Sequence, residues 1–146
     1  MATALSEIQR EARIRLVEAH LLAENDNNIN AIVETFGTQA YFVLNGLRLE
    51  GKDQIQSIYE GFGFGGNGGF SELNAKAEKW HIADDSIVLE LTLSGVHTKE
   101  WNGIAATNNK FEVTVAAIFS FDEEGKLESE RVYFDMTLVL KQLGVM

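Results

Sequence analysis

Apolar residues recur at helical spacing near the start of the chain, at Leu5, Ile8, Ala12, Leu16, Ala19 and Leu22. The spacing predicts an amphipathic helix over 5–24, with Ser6 as its cap and acidic residues following it. The polar break 25–28 offers Asp26 or Asn27 to cap a second helix through Ile29, Ile32, Val33 and Phe36, which Gly37 ends. Ala40 to Leu44 reads as a short strand, Asn45-Gly46 as a hairpin turn, and Leu47 to Glu50 as the return. Lys52 to Gly61, carrying Ile55, Ile58 and Tyr59, reads as a third short helix. Beyond residue 72 the pattern changes to strands, expected over 73–82, 86–101, 110–121 and 126–136, with turns at 83–85, 102–109 and 122–125. Long strands joined by short turns make an antiparallel meander, whose apolar face must be covered by the N-terminal helices. The fold class expected is α+β, as one domain over residues 1–146.

Strand phase decides what faces inward. Ile87, Leu89, Leu91 and Leu93 share one parity, and continuing it brings Gly95 and His97 to the inner face unless a bulge intervenes. On the next strand Phe111, Val113, Val115, Ala117, Phe119 and Phe121 form the inner set. The last strand divides into Leu127, Ser129, Arg131, Tyr133 and Asp135 against Glu128, Glu130, Val132 and Phe134. Two glutamates make the second set the expected outer face, which sends Arg131, Tyr133 and Asp135 inward. Val88, Val96, Val132 and Phe134 then form an apolar outer row, from which a homodimer through the sheets is expected.

An inward Asp135 among apolar walls would be a stronger proton acceptor, since desolvation disfavours its charge, while Arg131 beside it pulls the other way. His97 on a neighbouring strand could polarise a carbonyl oxygen or exchange a proton. The same residues also fit an internal Arg131–Asp135 ion pair with a hydrogen-bonded histidine at the sheet rim. Trp80, Trp101, Tyr41, Tyr59 and Phe119 are candidates to line a pocket or to fill the core. His20, His81 and His97 fall on a helix and two strands without ligand spacing, so no metal site is expected. His20 is expected to be packed or solvent-facing, and His81 exposed.

Composition narrows the partners. Twelve Lys plus Arg against 22 Asp plus Glu give a formal charge of −10, a field that repels phosphate backbones and anionic lipid. Neither nucleic acid nor membrane is therefore expected as a partner. The chain lacks cysteine, which removes disulfides and thiolate chemistry, and no Gly-x-Ser-x-Gly occurs. An N-terminus with acidic residues and no apolar core reads as cytoplasmic rather than secreted. The segment 61–70 concentrates glycine around Phe62, Phe64 and Phe70. It lacks the order of a phosphate loop and fits either a mobile lid over a pocket or a packed loop.

Read together, Gly95-Val-His97-Thr-Lys-Glu-Trp101-Asn-Gly103, Phe121-Asp-Glu-Glu-Gly125-Lys126-Leu127 and Tyr133-Phe-Asp135 with the closing Gln142-Leu143-Gly144 resemble the SnoaL-like polyketide cyclase family of the NTF2-like superfamily. The resemblance implies a cone of curved antiparallel sheet around a hydrophobic pocket. It also implies cofactor-free aldol cyclisation, isomerisation or dehydration of a carbonyl or polyketide-like substrate, an isomerase or lyase type of chemistry. Asp135 matches the family's proton-transferring aspartate and His97 its histidine. The chain departs from the family pattern at Ala105-Ala106-Thr107-Asn108, where a Pro-Pro-Thr-Gly turn is usual, at Arg131, where Trp is common, and at Ser129, where Glu is common. An arginine in the pocket would suit a more polar or anionic substrate, or an Arg–Asp unit as in the superfamily's epoxide hydrolases. An epoxide-opening enzyme and a non-catalytic ligand-binding or dimerisation module are the alternatives.

Overall fold

The computed structural model describes residues 5–146. Helix α1 (Glu7–Asn25) starts with a reciprocal cap: the Ser6 hydroxyl accepts the Gln9 N–H, and the Gln9 side chain accepts the Ser6 N–H. Helix α2 (Ile29–Glu34) is capped by Asn28, and the chain turns at once into β1 (Phe36–Leu44). Asn45-Gly46 returns it as β2 (Leu47–Glu50), followed by α3 (Gly51–Phe62). Strands β3 (Phe70–Ile82), β4 (Ser86–His97), β5 (Lys110–Phe121) and β6 (Leu127–Tyr133) follow, and α4 (Met136–Leu143) closes the chain. No helix among the described residues is long and apolar enough to cross a membrane.

The strands form a curved, unclosed sheet in the order β2-β1-β6-β5-β4-β3. The pairs β3–β4, β4–β5 and β5–β6 are antiparallel, which is the expected meander, and β1 joins parallel to β6. Helix α1 lies against β3 and α2, while α3 lies against β1. Between helices and sheet sits the core, with Val17, Ile32, Phe36, Ile55, Leu89, Phe119 and Leu127 fully shielded from solvent.

Several expectations change. The cap of α2 is Asn28 rather than Asp26 or Asn27, and Phe36 and Gly37 open β1 rather than closing that helix. Of the stripe predicted to bury α1, Leu16 packs on the core, but Ile8 is 78% and Leu22 62% exposed. The covered face is Val17, His20, Leu21, Ala23 and Glu24. A count of apolar positions could not find it, because two of the five are polar and are buried by partners on other elements. The last strand also stops at Tyr133 rather than running to Met136. Asp135 accepts the Leu138 N–H at 3.2 Å as the cap of α4, and Gly144 ends that helix in the left-handed conformation.

The glycine-rich segment is a packed loop. The amides of Gly63 and Phe64 bond to the Tyr59 carbonyl, Gly69 N–H bonds to the Gly61 carbonyl, and the Gly69 carbonyl accepts from Thr98 and Lys99. Its three phenylalanines are held inward, Phe62 stacked on Phe64 and tilted 4.5 Å from Phe70.

Candidate functional site

One extra residue decides which face of β6 carries the chemistry. Phe121 pairs with Leu127 but Ser120 with Ser129, so a single step on β5 opposes two on β6, and Glu128 bulges out. Beyond the bulge the phase is reversed. Glu130 pairs with Phe119 and Val132 with Ala117, so both take the helix-facing side, whereas Arg131 lies opposite Ile118 and Tyr133 opposite Ala116 on the far side. The inward orientation expected for Arg131, Tyr133 and Asp135 is thereby corrected.

Glu130 meets three residues from the helices. One turn of α1 separates His20 from Glu24, so both project toward β6, and α3 brings Tyr59 to the same point. The Thr35 hydroxyl donates to the Ile32 carbonyl at 2.6 Å and therefore accepts the His20 Nδ1–H at 2.9 Å. That contact fixes the ring and aims Nε2 at the Tyr59 oxygen, 3.0 Å away, at Glu130 Oε1, 3.1 Å, and at Glu24 Oε2, 3.5 Å. The Tyr59 hydroxyl donates to Glu130 in a short hydrogen bond. The rings of Phe36 and Phe119 pack edge-on against the imidazole.

All four groups are buried. Burial alone would discharge His20, but attraction to Glu130 and then Glu24 outweighs it and lifts the imidazole to about 10, so it is cationic at neutral pH. Burial pushes the Glu24 carboxyl up from its ordinary value, with His20 opposing and Glu130 reinforcing the rise. Burial also pushes the Tyr59 phenol well above its usual range, which keeps it a neutral donor. The two carboxylates are thus unequal in their contacts: Glu130 receives a phenol and an imidazolium, while Glu24 has only the longer contact to the imidazolium. His20, Glu24 and Glu130 also offer one donor atom each within 4.8 Å of one another, compact enough to surround a metal ion. The expectation of no metal site searched for histidine spacings and did not consider this mixed set.

Glu24, Tyr59 and Glu130 face an apolar cavity of about 90 Å³. Phe42, Phe64, Leu91, Val115, Ala117 and Val132 are its buried walls, and half-buried Leu44, Ile58, Phe62, Leu93 and Phe134 mark its rim. Among the described residues, no lysine, arginine, histidine or side-chain amide lines it.

Among the residues singled out from sequence, Tyr59 lines this cavity and Phe119 backs it through His20. Asp135 is exposed, beside Tyr133 at a shallow open depression with Asn45 and Thr137. His97 is fully buried with Nδ1 accepting the Thr107 N–H and its ring against Phe70, which in turn packs on Trp101; none of the three lines the cavity. Arg131 and Tyr41 meet on the far face, where the guanidinium reaches the Ser120 and Ser129 hydroxyls. Trp80 is half-buried on β3, outside the cavity lining. The expected outer apolar row splits for the same reason: Val88 stays on the far face, but Val132 and Phe134 line the cavity.

The family model of the SnoaL-like polyketide cyclases matches residues 15–143. No curated protein matches the sequence. Among solved structures, a protein from Jannaschia sp. CCS1 assigned as a SnoaL-like polyketide cyclase superposes with a TM-score of 0.83 at 17% identity, covering 99% of each chain. One from Xanthomonas campestris pv. campestris, assigned as a polyketide cyclase, gives 0.82 at 18% over 92% of this chain and 98% of that one. SalBIII, described as an epoxide hydrolase/cyclase-like enzyme with a role in pyran ring formation in the polyether salinomycin, gives 0.72 at 19% over 89% and 96%. These likenesses establish a shared fold.

Proposed function

Since this chain belongs to the SnoaL-like polyketide cyclase family, we propose that its cavity performs cofactor-free acid–base chemistry on a small carbonyl compound: aldol cyclisation, isomerisation or dehydration. The observation that carries this reading is the pair of unequal buried carboxylates at the cavity's polar end. Two carboxyl groups held in unlike surroundings at one point can serve as an acid and a base for the same substrate. Glu130, its charge supported by Tyr59 and His20, takes a proton from the carbon next to the carbonyl. Glu24, in its acid form, gives its proton to the carbonyl oxygen, so the product of the step is a neutral enol and the pair has exchanged roles. The enol carbon can then attack a second carbonyl of the same molecule or be reprotonated at another position. His20 and Tyr59 act as positioning residues: neither moves a proton to the substrate, and both hold Glu130 aimed at it.

The test is exchange of the α-hydrogens of a small apolar ketone for deuterium, followed by NMR. Glu130→Gln should lower the rate at least a hundredfold, the ordinary scale of one general base, with the circular dichroism of the folded protein retained. Exchange unchanged in that variant would move the cavity to the ligand-binding reading. The carboxylate pair also suits epoxide opening, with Glu24 protonating the epoxide oxygen while Glu130 activates an internal hydroxyl. The likeness to SalBIII supports that second reading, and conversion of a hydroxy-epoxide probe to a cyclic ether distinguishes it.

A further inference from the structure

The charges at the cavity's end do not balance. From α1 come Glu24 and, behind it, His20; from α3 comes Tyr59; from β6 comes Glu130; and below them lies the Thr35 hydroxyl. Two carboxylates therefore face one imidazolium. That imidazolium has already spent its Nδ1–H on Thr35, which leaves a single N–H for both anions. Glu130 also receives the Tyr59 hydroxyl. Glu24 is 6% exposed, lines the cavity, and has its ion-pair contact in the 3.5 Å approach to His20, beside a Tyr59 hydroxyl already given to Glu130. With both carboxyls ionised one negative charge is in excess; a proton on Glu24 removes it, and that carboxyl looks into a chamber to which no described residue brings a cationic or amide side chain.

The chamber's walls favour the sign that is missing. Phe42, Tyr59, Phe62, Phe64 and Phe134 contribute five aromatic rings to the lining, and the face of an aromatic ring attracts a cation, more strongly when water is absent. We propose that the cavity is a binding site for a small organic ammonium ion, its charge set against Glu24 and Glu130 and its alkyl groups against the aromatic walls. The ion takes the place of the proton that otherwise neutralises Glu24, and that proton leaves to solvent. A metal ion would find three donors and the Tyr59 hydroxyl at this point but apolar carbon across the rest of the cavity, whereas an alkylammonium is matched by both halves. The inference rests on the charge count and the lining, and it holds whether or not the carboxylates catalyse a reaction.

Isothermal titration with tetramethylammonium chloride tests it, with tert-butanol as an uncharged molecule of similar size. The quaternary ion carries no dissociable proton, so any proton released comes from the protein. The expected result at pH 7 is saturable binding at least about tenfold tighter than tert-butanol, a ratio worth about 1.4 kcal/mol. Titrations in buffers of different ionisation heat should show release of up to one proton. Glu24→Gln should abolish the proton release and most of the preference. Phe64→Leu, which leaves all four polar groups in place, should weaken the ammonium ion more than the alcohol and keeps the test decisive if the first variant does not fold. Equal affinity for the two probes, or a preference untouched by both variants, overturns the proposal. Tight zinc binding that is lost in His20→Ala, with no ammonium binding, overturns it in favour of a metal.

Discussion

Replacing Glu130 by glutamine removes one charge from the centre of the buried cluster and leaves the side chain's shape intact. Taking one partner from a buried ion pair costs about 3–5 kcal/mol, because the remaining charge is stranded. Here Glu24 stays 3.5 Å from the imidazolium and can serve as a second counter-ion, so a loss near the lower bound, about 3 kcal/mol, is expected. That is a large part of the ~5–15 kcal/mol by which a domain of this kind is stable. The loss should depend on pH in a definite direction. His20 rises from 6.5 in the unfolded chain to about 10 in the fold, so its contribution is complete below pH 6.5 and disappears as pH climbs through 10. Because Glu130 supplies the largest attraction behind that rise, Glu130→Gln should destabilise most near pH 6 and progressively less toward pH 10. Urea unfolding at five pH values, with the His20 ring nitrogens followed by 15N NMR in both proteins, measures the two quantities together. A stability deficit constant from pH 6 to 10, or a wild-type imidazole titrating near 6.5, would refute the reasoning.

Asp135→Ala should cost about 1 kcal/mol through loss of the α4 cap and leave ketone exchange within a factor of two; a hundredfold loss of exchange in a folded variant would restore the aspartate to the chemistry. Gly69→Ala should destabilise by about 1–3 kcal/mol, since its methyl group would lie 2.5 Å from Trp101 Cβ; a thermal midpoint equal to wild type would show that the 61–70 loop yields more easily than its packing implies. The sheet's far face keeps Val88, Val96 and Ile118 half-buried and Tyr133 43% exposed, so sedimentation at micromolar concentration should find a homodimer, and Ile118→Lys should shift it toward monomer. A wild-type monomer there would exclude the sheet as an interface.

Much of this fold is legible in the residues. Alternation in Ile87–Leu93 and Phe111–Phe119 sets the inner face of β4 and β5, and Asn45-Gly46 marks the first hairpin. The site is less legible, for physical reasons. Nothing local in the segment 126–133 signals that Glu128 stands out of the ladder, and without that fact every later residue is assigned to the wrong face. His20 and Glu24 are polar residues on a helix whose apolar stripe points elsewhere. Their burial depends on a partner more than a hundred positions away, so hydropathy along the helix ranks them as surface. The four-residue spacing of His20 and Glu24 was the available clue, and the alternation Glu130-Val132-Phe134 was the other. Asp135 was readable as a helix cap, since Met136–Leu143 ends in Gly144, but the alternation of β6 continued smoothly into it.

The bulge at Glu128 makes the identity of the cavity depend on ladder register as much as on residue type. Deleting that one residue would leave every later side chain on its present face, because Ser129 would follow Leu127 in simple alternation. Drawing Glu128 into the ladder as an ordinary strand residue would instead turn Ser129, Arg131 and Tyr133 toward the helices, and Glu130 and Val132 away from them. A carboxylate pocket would become a guanidinium pocket without a single side chain being exchanged. Within this architecture the gain or loss of one bulge is a route to new chemistry that a comparison of aligned residue types alone would miss.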